Sequence, residues 1–317
     1  MAKPLPRVKT TTTVNPTSNS LRTWAKTGLA LGALLYFGHA RGDTIFVTDA
    51  GDNTVQQLNG AGDPGPYIVS GLAEPMGLAF DAFGNLFVGN FANNTIEKVN
   101  ASGGETLFAS AGLSGPKGLA FDSSGNLYVA NFWSSTIEKF NSSGHGTVFA
   151  SAGLSNPYGL AFDPLNGDLY VGNNNGTIEK FNSSGHGSLF ASGLGEAVGL
   201  AFDGNGDLFA ADYDNCSIDE FSPSGHESLF ACLGAGNHPI GVAFDSSGNL
   251  LVSTSAGTID EINPNGCPTV FASDLSSPWF FAMEASAIPV PEPSSGLLLV
   301  LGTAACFGYG RVRRMRQ

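Results

Sequence analysis

The sequence predicts an all-β fold: a six-bladed β-propeller of four-stranded blades, closed by N- and C-terminal strands that share one blade. Three observations predict it. One unit recurs at Gly77, Gly118, Gly159, Gly199 and Gly241, at spacings of 41, 41, 40 and 42 residues. Each unit holds four short runs rich in aromatic and β-branched residues, separated by Gly, Asn and Ser. The stretches before the first unit and after the last are complementary fragments of the same unit.

In the second copy the runs are Gly118–Phe121, Leu127–Ala130, Thr136–Phe140 and Thr147–Ala150. Asp122 to Asn126 and Asn141 to Gly144 supply the turns. Residues 43–76 match runs two to four without the first, and residues 278–284 (PWFFAME) match the first run alone. Together they make a sixth blade, which leaves no blade with an unpaired inner edge. Phe80, Phe121, Phe162, Phe202 and Phe244, each with Leu or Val two residues earlier, are expected between blades.

Repeated polar residues carry two readings each. Asp81, Asp122, Asp163, Asp203 and Asp245, with Glu284 in the sixth place, could ring a metal. The favoured reading is that each carboxylate accepts N–H groups of the Gly turn that follows. His145, His186 and His226 each follow Ser-Gly in an outer hairpin of a different blade. They stand too far apart to share one ion. Cys216 and Cys232 flank one hairpin of the fifth sheet, so a disulfide is possible in an oxidising compartment. Cys267 is expected as a free thiol, and Cys306 falls in the C-terminal apolar run.

The loops after run two and before run one meet around the channel on one face. Strand-two ends there read Asp49, Asn90, Asn131, Asn173, Asp212 and Thr254. The residues before the recurring Gly read Met76, Lys117, Tyr158, Val198, Ile240 and Trp279. Phe91, Phe132, Trp133, Tyr213 and His238 lie nearby. This face varies from blade to blade while the scaffold repeats, so individual contacts can be encoded there. The expected ligand face is Asp49, Asn90, Lys117, Asn131, Trp133, Tyr158, Asn173, Asp212, Tyr213, His238 and Trp279. Carboxamides and aromatic rings suit the hydroxyls and flat faces of a polysaccharide, or a peptide. The competing reading is that the Asn and Asp side chains simply close local loops.

Charge narrows the partners. The chain has 14 Lys+Arg against 27 Asp+Glu, a net charge of −13. All but five of the basic residues lie in 1–40 and 311–317, so the body is far more acidic than the whole. Nucleic acid is not an expected partner, because a phosphate backbone needs a basic stripe.

The two ends read as addresses. Residues 1–40 carry Lys3, Arg7, Lys9, Arg22 and Lys26, then the apolar run 28–38 and Gly38-His39-Ala40. That is the pattern of a signal peptide, with cleavage expected after Ala40. The body, residues 41–286, is the propeller. Residues 287–317 hold Pro291-Glu292-Pro293, the apolar run 296–310, and a cluster including Arg311, Arg313 and Arg314. The run is short for a span, and the arginines should stay cytoplasmic.

The ordered Pro-Glu-Pro, apolar helix and Arg cluster resembles the PEP-CTERM sorting signal of Gram-negative bacteria. The resemblance implies processing by an exosortase, tethering in the inner membrane through the tail helix, and delivery to the cell surface or an exopolysaccharide matrix such as a biofilm. The repeat GLAFDxxGNLYVAN…TIEKF resembles NHL repeats and the six-bladed propellers of the senescence marker protein/gluconolactonase group. The latter likeness implies an alternative, a divalent-metal-dependent lactonase or esterase. Its cation at the channel mouth would be held by Asn131, Asn173 and Asp212. The family's Glu ligand has no counterpart in its local pattern, Glu74 and Glu284 being nearest. No nucleophile elbow, H-E-x-x-H, Walker A or paired-Cys zinc motif is present. The expectation is therefore a binding or scaffold module with no resident cofactor.

Overall fold

A computed structural model describes residues 43–284. The signal-peptide and sorting-tail expectations, with Pro291, Glu292, Pro293, Arg311, Arg313 and Arg314, lie outside the described residues. So does the side chain of Glu284.

The described residues form six antiparallel four-stranded sheets, and no helix. Blade 1 is composite: β24 (Pro278–Glu284), β1 (Thr44–Asp49), β2 (Thr54–Leu58) and β3 (Pro64–Ser70), in that order. Blade 2 runs β4 to β7 (Pro75–Phe80, Leu86–Asn90, Thr95–Val99, Glu105–Ala109). Blade 3 runs β8 to β11 (Pro116–Phe121, Leu127–Asn131, Thr136–Phe140, Gly146–Ala150). Blade 4 runs β12 to β15 (Pro157–Phe162, Leu169–Asn173, Thr177–Phe181, Gly187–Ser192). Blade 5 runs β16 to β19 (Ala197–Phe202, Leu208–Asp212, Ser217–Phe221, Glu227–Cys232). Blade 6 runs β20 to β23 (Pro239–Phe244, Leu250–Thr254, Ile259–Ile262, Pro268–Ala272). The first strands pack in a closed ring, β4 to β8 to β12 to β16 to β20 to β24 and back to β4. Blade 1 is closed by pairing of Thr44 with Glu284 and Phe46 with Ala282.

Blades join through repeated aromatic contacts. A strand-two ring of one blade meets the strand-one Phe of the next edge to face: Phe46 with Phe80, Phe87 with Phe121, Tyr128 with Phe162, Tyr170 with Phe202, and Phe209 with Phe244, all at 5.0 to 5.1 Å. Such geometry suits the ring quadrupoles.

The turn aspartates serve the backbone. Asp122 accepts from the N–H groups of Ser124 (2.9 Å) and Asn126 (2.8 Å), and from the Asn126 side chain (2.8 Å). Gly125 supplies the positive φ of 81°. Lys139 Nζ stands 3.5 Å away. Partial burial alone would raise the Asp122 carboxyl, but these donors outweigh it and hold it below the usual carboxylate range. Asp122→Ala should therefore destabilise by about 1–3 kcal/mol, because it leaves turn N–H groups unpaired. Urea unfolding at pH 7 measures the loss. The native carboxyl sits below its unfolded value, so the difference from wild type should shrink as pH falls through the native value.

One use of the recurring Gly was not legible in the repeat. A Cβ on Gly118 would lie 2.4 Å from the carbonyl oxygen of Tyr158 in the next blade, and one on Gly199 would lie 2.3 Å from that of Ile240. The residue is glycine because neighbouring inner strands touch backbone to backbone there. In blade 1 the place is taken by Phe280. Thr48 fits between blades instead, donating to the Met76 carbonyl at 2.8 Å and accepting from Phe280 N–H at 3.2 Å.

Candidate functional site

The upper face is defined here as the one where first strands begin and second strands end. Each first strand carries a bulge at that rim. Pro116 pairs with Asn131 and Leu119 with Val129, so Lys117 and Gly118 together oppose only Ala130. The same two-against-one pattern recurs in every blade. A bulge kinks the strand and re-aims one side chain. Here it singles out Met76, Lys117, Tyr158, Val198, Ile240 and Trp279, one residue per blade.

All of these but Met76 meet across the channel. Tyr158, Val198, Ile240 and Phe280 form a buried cluster, with Phe132, Tyr213 and Trp279 packed against it. Beneath lies a small cavity of about 70 Å³ lined by inner-strand residues, among them Leu78, Leu160, Val242 and Phe281 and the backbone of Gly118 and Gly159. The mouth therefore has an aromatic and aliphatic floor.

Lys117 is set into that floor, only 5% exposed. Its Nζ lies 3.8 Å from the ring centre of Tyr158, 3.9 Å from Phe132, 4.9 Å from Trp279 and 5.5 Å from Phe91. Thr54 Oγ1 is the one fully buried, unpartnered side-chain polar atom among the described residues. Burial pushes the Lys117 ammonium down to about 7, opposed by the charge of Glu196. The ring faces also favour the cation.

Beside the cage, Glu196 accepts from the Asn174 amide at 2.7 Å and from the Tyr158 hydroxyl at 3.4 Å. Burial first, then the Glu196 charge, pushes the Tyr158 phenol up to about 12. Tyr213 and His238 stack at 4.6 Å with planes 19° apart. His238 Nδ1 lies 2.7 Å from the Tyr213 carbonyl oxygen, which can only accept, so Nδ1 carries the proton. Trp133 stands above the floor, 63% exposed, tilted against Phe91 (5.6 Å) and edge-on to Phe132 (4.7 Å). Gly115 makes room for it, since a Cβ there would meet the indole at 2.5 Å.

The strand-two ends behave differently. Asp49, Asn90, Asn131, Asn173 and Asp212 are at most 2% exposed. Asn131 accepts from Ser114 N–H and donates to the Gly112 carbonyl. Asn173 does the same with Ser155 and Gly153. Asn90 accepts from Ala73 N–H, and Asp212 from Gly195 N–H and the Asn215 side chain. Asp49 accepts from Gly51, Ser276 and Ser277. These five residues hold the loops between blades. Their hydrogen bonds accord with the competing reading of the sequence, in which the Asn and Asp side chains, Asn131, Asn173 and Asp212 among them, close local loops. The structure does bring Lys117, Trp133, Tyr158, Tyr213, His238 and Trp279 to one mouth.

The Cys216–Cys232 pairing is also corrected, as both are free thiols. Cys232 sits opposite Ser217, one residue out of register for the bond. Cys216, with φ of 52°, turns inward to place Sγ 3.5 Å from His238 Nδ1, while Cys232 is exposed. Among the described residues no three His, Cys, Asp or Glu side chains are grouped to hold a metal. Sequence reasoning missed Glu196 and Asn174. They lie in non-repeating loop positions, and only the fold brings them to Tyr158.

Comparison with known proteins adds the architecture. No protein-family model matches the chain, and no curated protein matches it. Solved structures do. The chain is similar to a chain in the crystal structure of a nidogen/laminin complex, at TM-score 0.70 and 19% identity, over 77% of this chain and 99% of that one. It is also similar to a streptogramin B lyase, at TM-score 0.63 and 16% identity, over 75% of this chain and 82% of that one. Virginiamycin B lyase from Staphylococcus aureus matches at TM-score 0.60 and 17% identity, over 72% of this chain and 80% of that one. At these identities the likeness is one of fold: a six-bladed β-propeller, found in a protein complex and in enzymes alike.

Proposed function

We propose that the protein is a binding module of the cell surface or extracellular matrix, whose upper channel mouth takes a polysaccharide or protein ligand. One observation carries the reading. The side chains free at the mouth are aromatic, with Trp133 exposed above a caged lysine, while the carboxamides that might do polar chemistry are consumed by the scaffold. A flat, rigid aromatic surface suits the face of a sugar ring or an apolar side chain. The signal-peptide and sorting-tail patterns support the destination: export, exosortase processing and release into, or tethering beside, an exopolysaccharide. The metal-dependent hydrolase alternative has no observation favouring it, because Asn131, Asn173 and Asp212 spend their polar atoms on loops.

The test is a glycan array of neutral and acidic oligosaccharides, alongside native matrix material, probed with wild type and Trp133→Ala. Trp133 is exposed, so its loss should leave the melting temperature within a few degrees and weaken binding at least about tenfold, as removal of an aromatic anchor does. No binding to any glycan or to matrix would overturn the reading, as would equal binding by the variant.

A further inference from the structure

The third strands carry a second pattern. They read TIEKV, TIEKF and TIEKF in blades 2 to 4, then SIDEF in blade 5. In blades 2 to 4 the lysine ammonium lies over the strand-two ring: Lys98 over Phe87 at 5.1 Å, Lys139 over Tyr128 at 5.0 Å, Lys180 over Tyr170 at 5.4 Å. Each also pairs with a carboxylate of the lower turn: Asp81 at 3.5 Å, Asp122 at 3.5 Å and Asp168 at 3.0 Å. Three blades thus show what this ring-and-carboxylate setting holds, namely a primary ammonium.

Blade 5 keeps the setting and lacks the cation. Phe209 occupies the ring position, packed edge-on by Phe230 and Phe244. Asp203 stands where Asp81 stands, and Asp207 where Asp168 stands. Glu220 replaces the lysine. Among the described residues no cation pairs with Asp203, Asp207 or Glu220. Burial, then Asp207 and Asp203, raises the Glu220 carboxyl above its ordinary value, as expected of like charges without a counter-ion. These residues line a groove of about 630 Å³ between blades 5 and 6, with Leu229, 65% exposed, on its wall.

We propose that this groove binds an aliphatic ammonium group, seated over Phe209 and between the carboxylates, where the sister blades seat their own lysine. The methylene chain of the ligand lies along Leu229. A bare divalent cation fits less well, since both Asp203 oxygens already accept from Asn205 and Asp207. This site is on the lower part of the molecule and stands apart from the upper-mouth reading.

Calorimetric titration with cadaverine, and in parallel with Nα-acetyl-lysine amide, tests it. Saturable one-site binding of either, weakened by salt, is expected; which one binds tells a free diamine from a lysine side chain. Glu220→Lys restores the arrangement of blades 2 to 4, so it should weaken binding at least tenfold and raise the melting temperature. Phe209→Leu, which keeps all three carboxylates, should weaken binding without abolishing charge attraction. Absence of saturable binding by both probes, or undiminished binding by Glu220→Lys, would overturn the proposal. So would saturation of the groove by Ca²⁺ that cadaverine does not displace.

Discussion

Replacing Lys117 with Met is expected to stabilise the protein at pH 7 and to flatten its stability above that pH. The native ammonium is pushed to about 7, against 10.5 for an unburied lysine. Between these values the unfolded chain binds a proton that the native state does not. Wild-type stability must then rise with pH across this window, and below it the slope vanishes because both states are protonated. The rise is on the order of 5 kcal/mol at most, reduced by whatever the four ring faces return to the cation. Glu196 and the Tyr158 hydroxyl are the other titratable groups at the cage; burial and Glu196 hold Tyr158 at about 12, beyond the window. Met keeps the stem and its packing while removing the titration. Urea midpoints of both proteins at pH 7, 8.5 and 10 give the difference directly. A Met variant less stable at pH 7, with an unchanged slope, would mean that the rings hold the cation more tightly than burial expels it. A lysine that costs stability in the free protein is the kind of group found at functional sites.

Ending the chain at Ser277 is expected to abolish cooperative folding. The cut removes β24, and with it Phe280, Phe281 and Ala282, all less than 10% exposed. Deleting a single buried Phe side chain costs about 3–5 kcal/mol. Two of them, with a whole ladder of backbone hydrogen bonds, are comparable to the roughly 5–15 kcal/mol that domains have in total. The loss also bares the edge of β1 and opens the ring between β20 and β4. Calorimetry should show no sharp transition, and a peptide spanning 278–284 added in excess should restore part of it. A truncated chain melting within a few degrees of wild type would mean that blade 1 does not depend on the shared strand.

The architecture was legible because the repeat writes it five times and the two end fragments add up to a sixth copy. The turn aspartates were legible too, since Asp122 and Gly125 sit in one short segment and answer to local backbone geometry. The site was legible only by place. Sequence puts Asn173 and Trp133 on the same face, but not which is buried. That depends on loops such as Gly153 to Ser155, whose backbone consumes the Asn173 carboxamide. The cage around Lys117 draws on Phe132, Tyr158 and Trp279, from three different blades. Only ring closure brings them within 5 Å of one amine. The cysteine pair failed by a single residue of register, which in a strand turns a side chain to the opposite face.

The most direct measurement is hydrogen–deuterium exchange of the propeller with and without the strongest-binding glycan from the array. Protection is expected in the upper loops that carry Phe91, Phe132 to Ser135, Asn174 and Tyr213, with the lower turns at Asp81, Asp122 and Asp163 unchanged. Protection centred on the lower turns or on the outer strands, with the upper loops unaffected, would contradict a ligand site at the channel mouth.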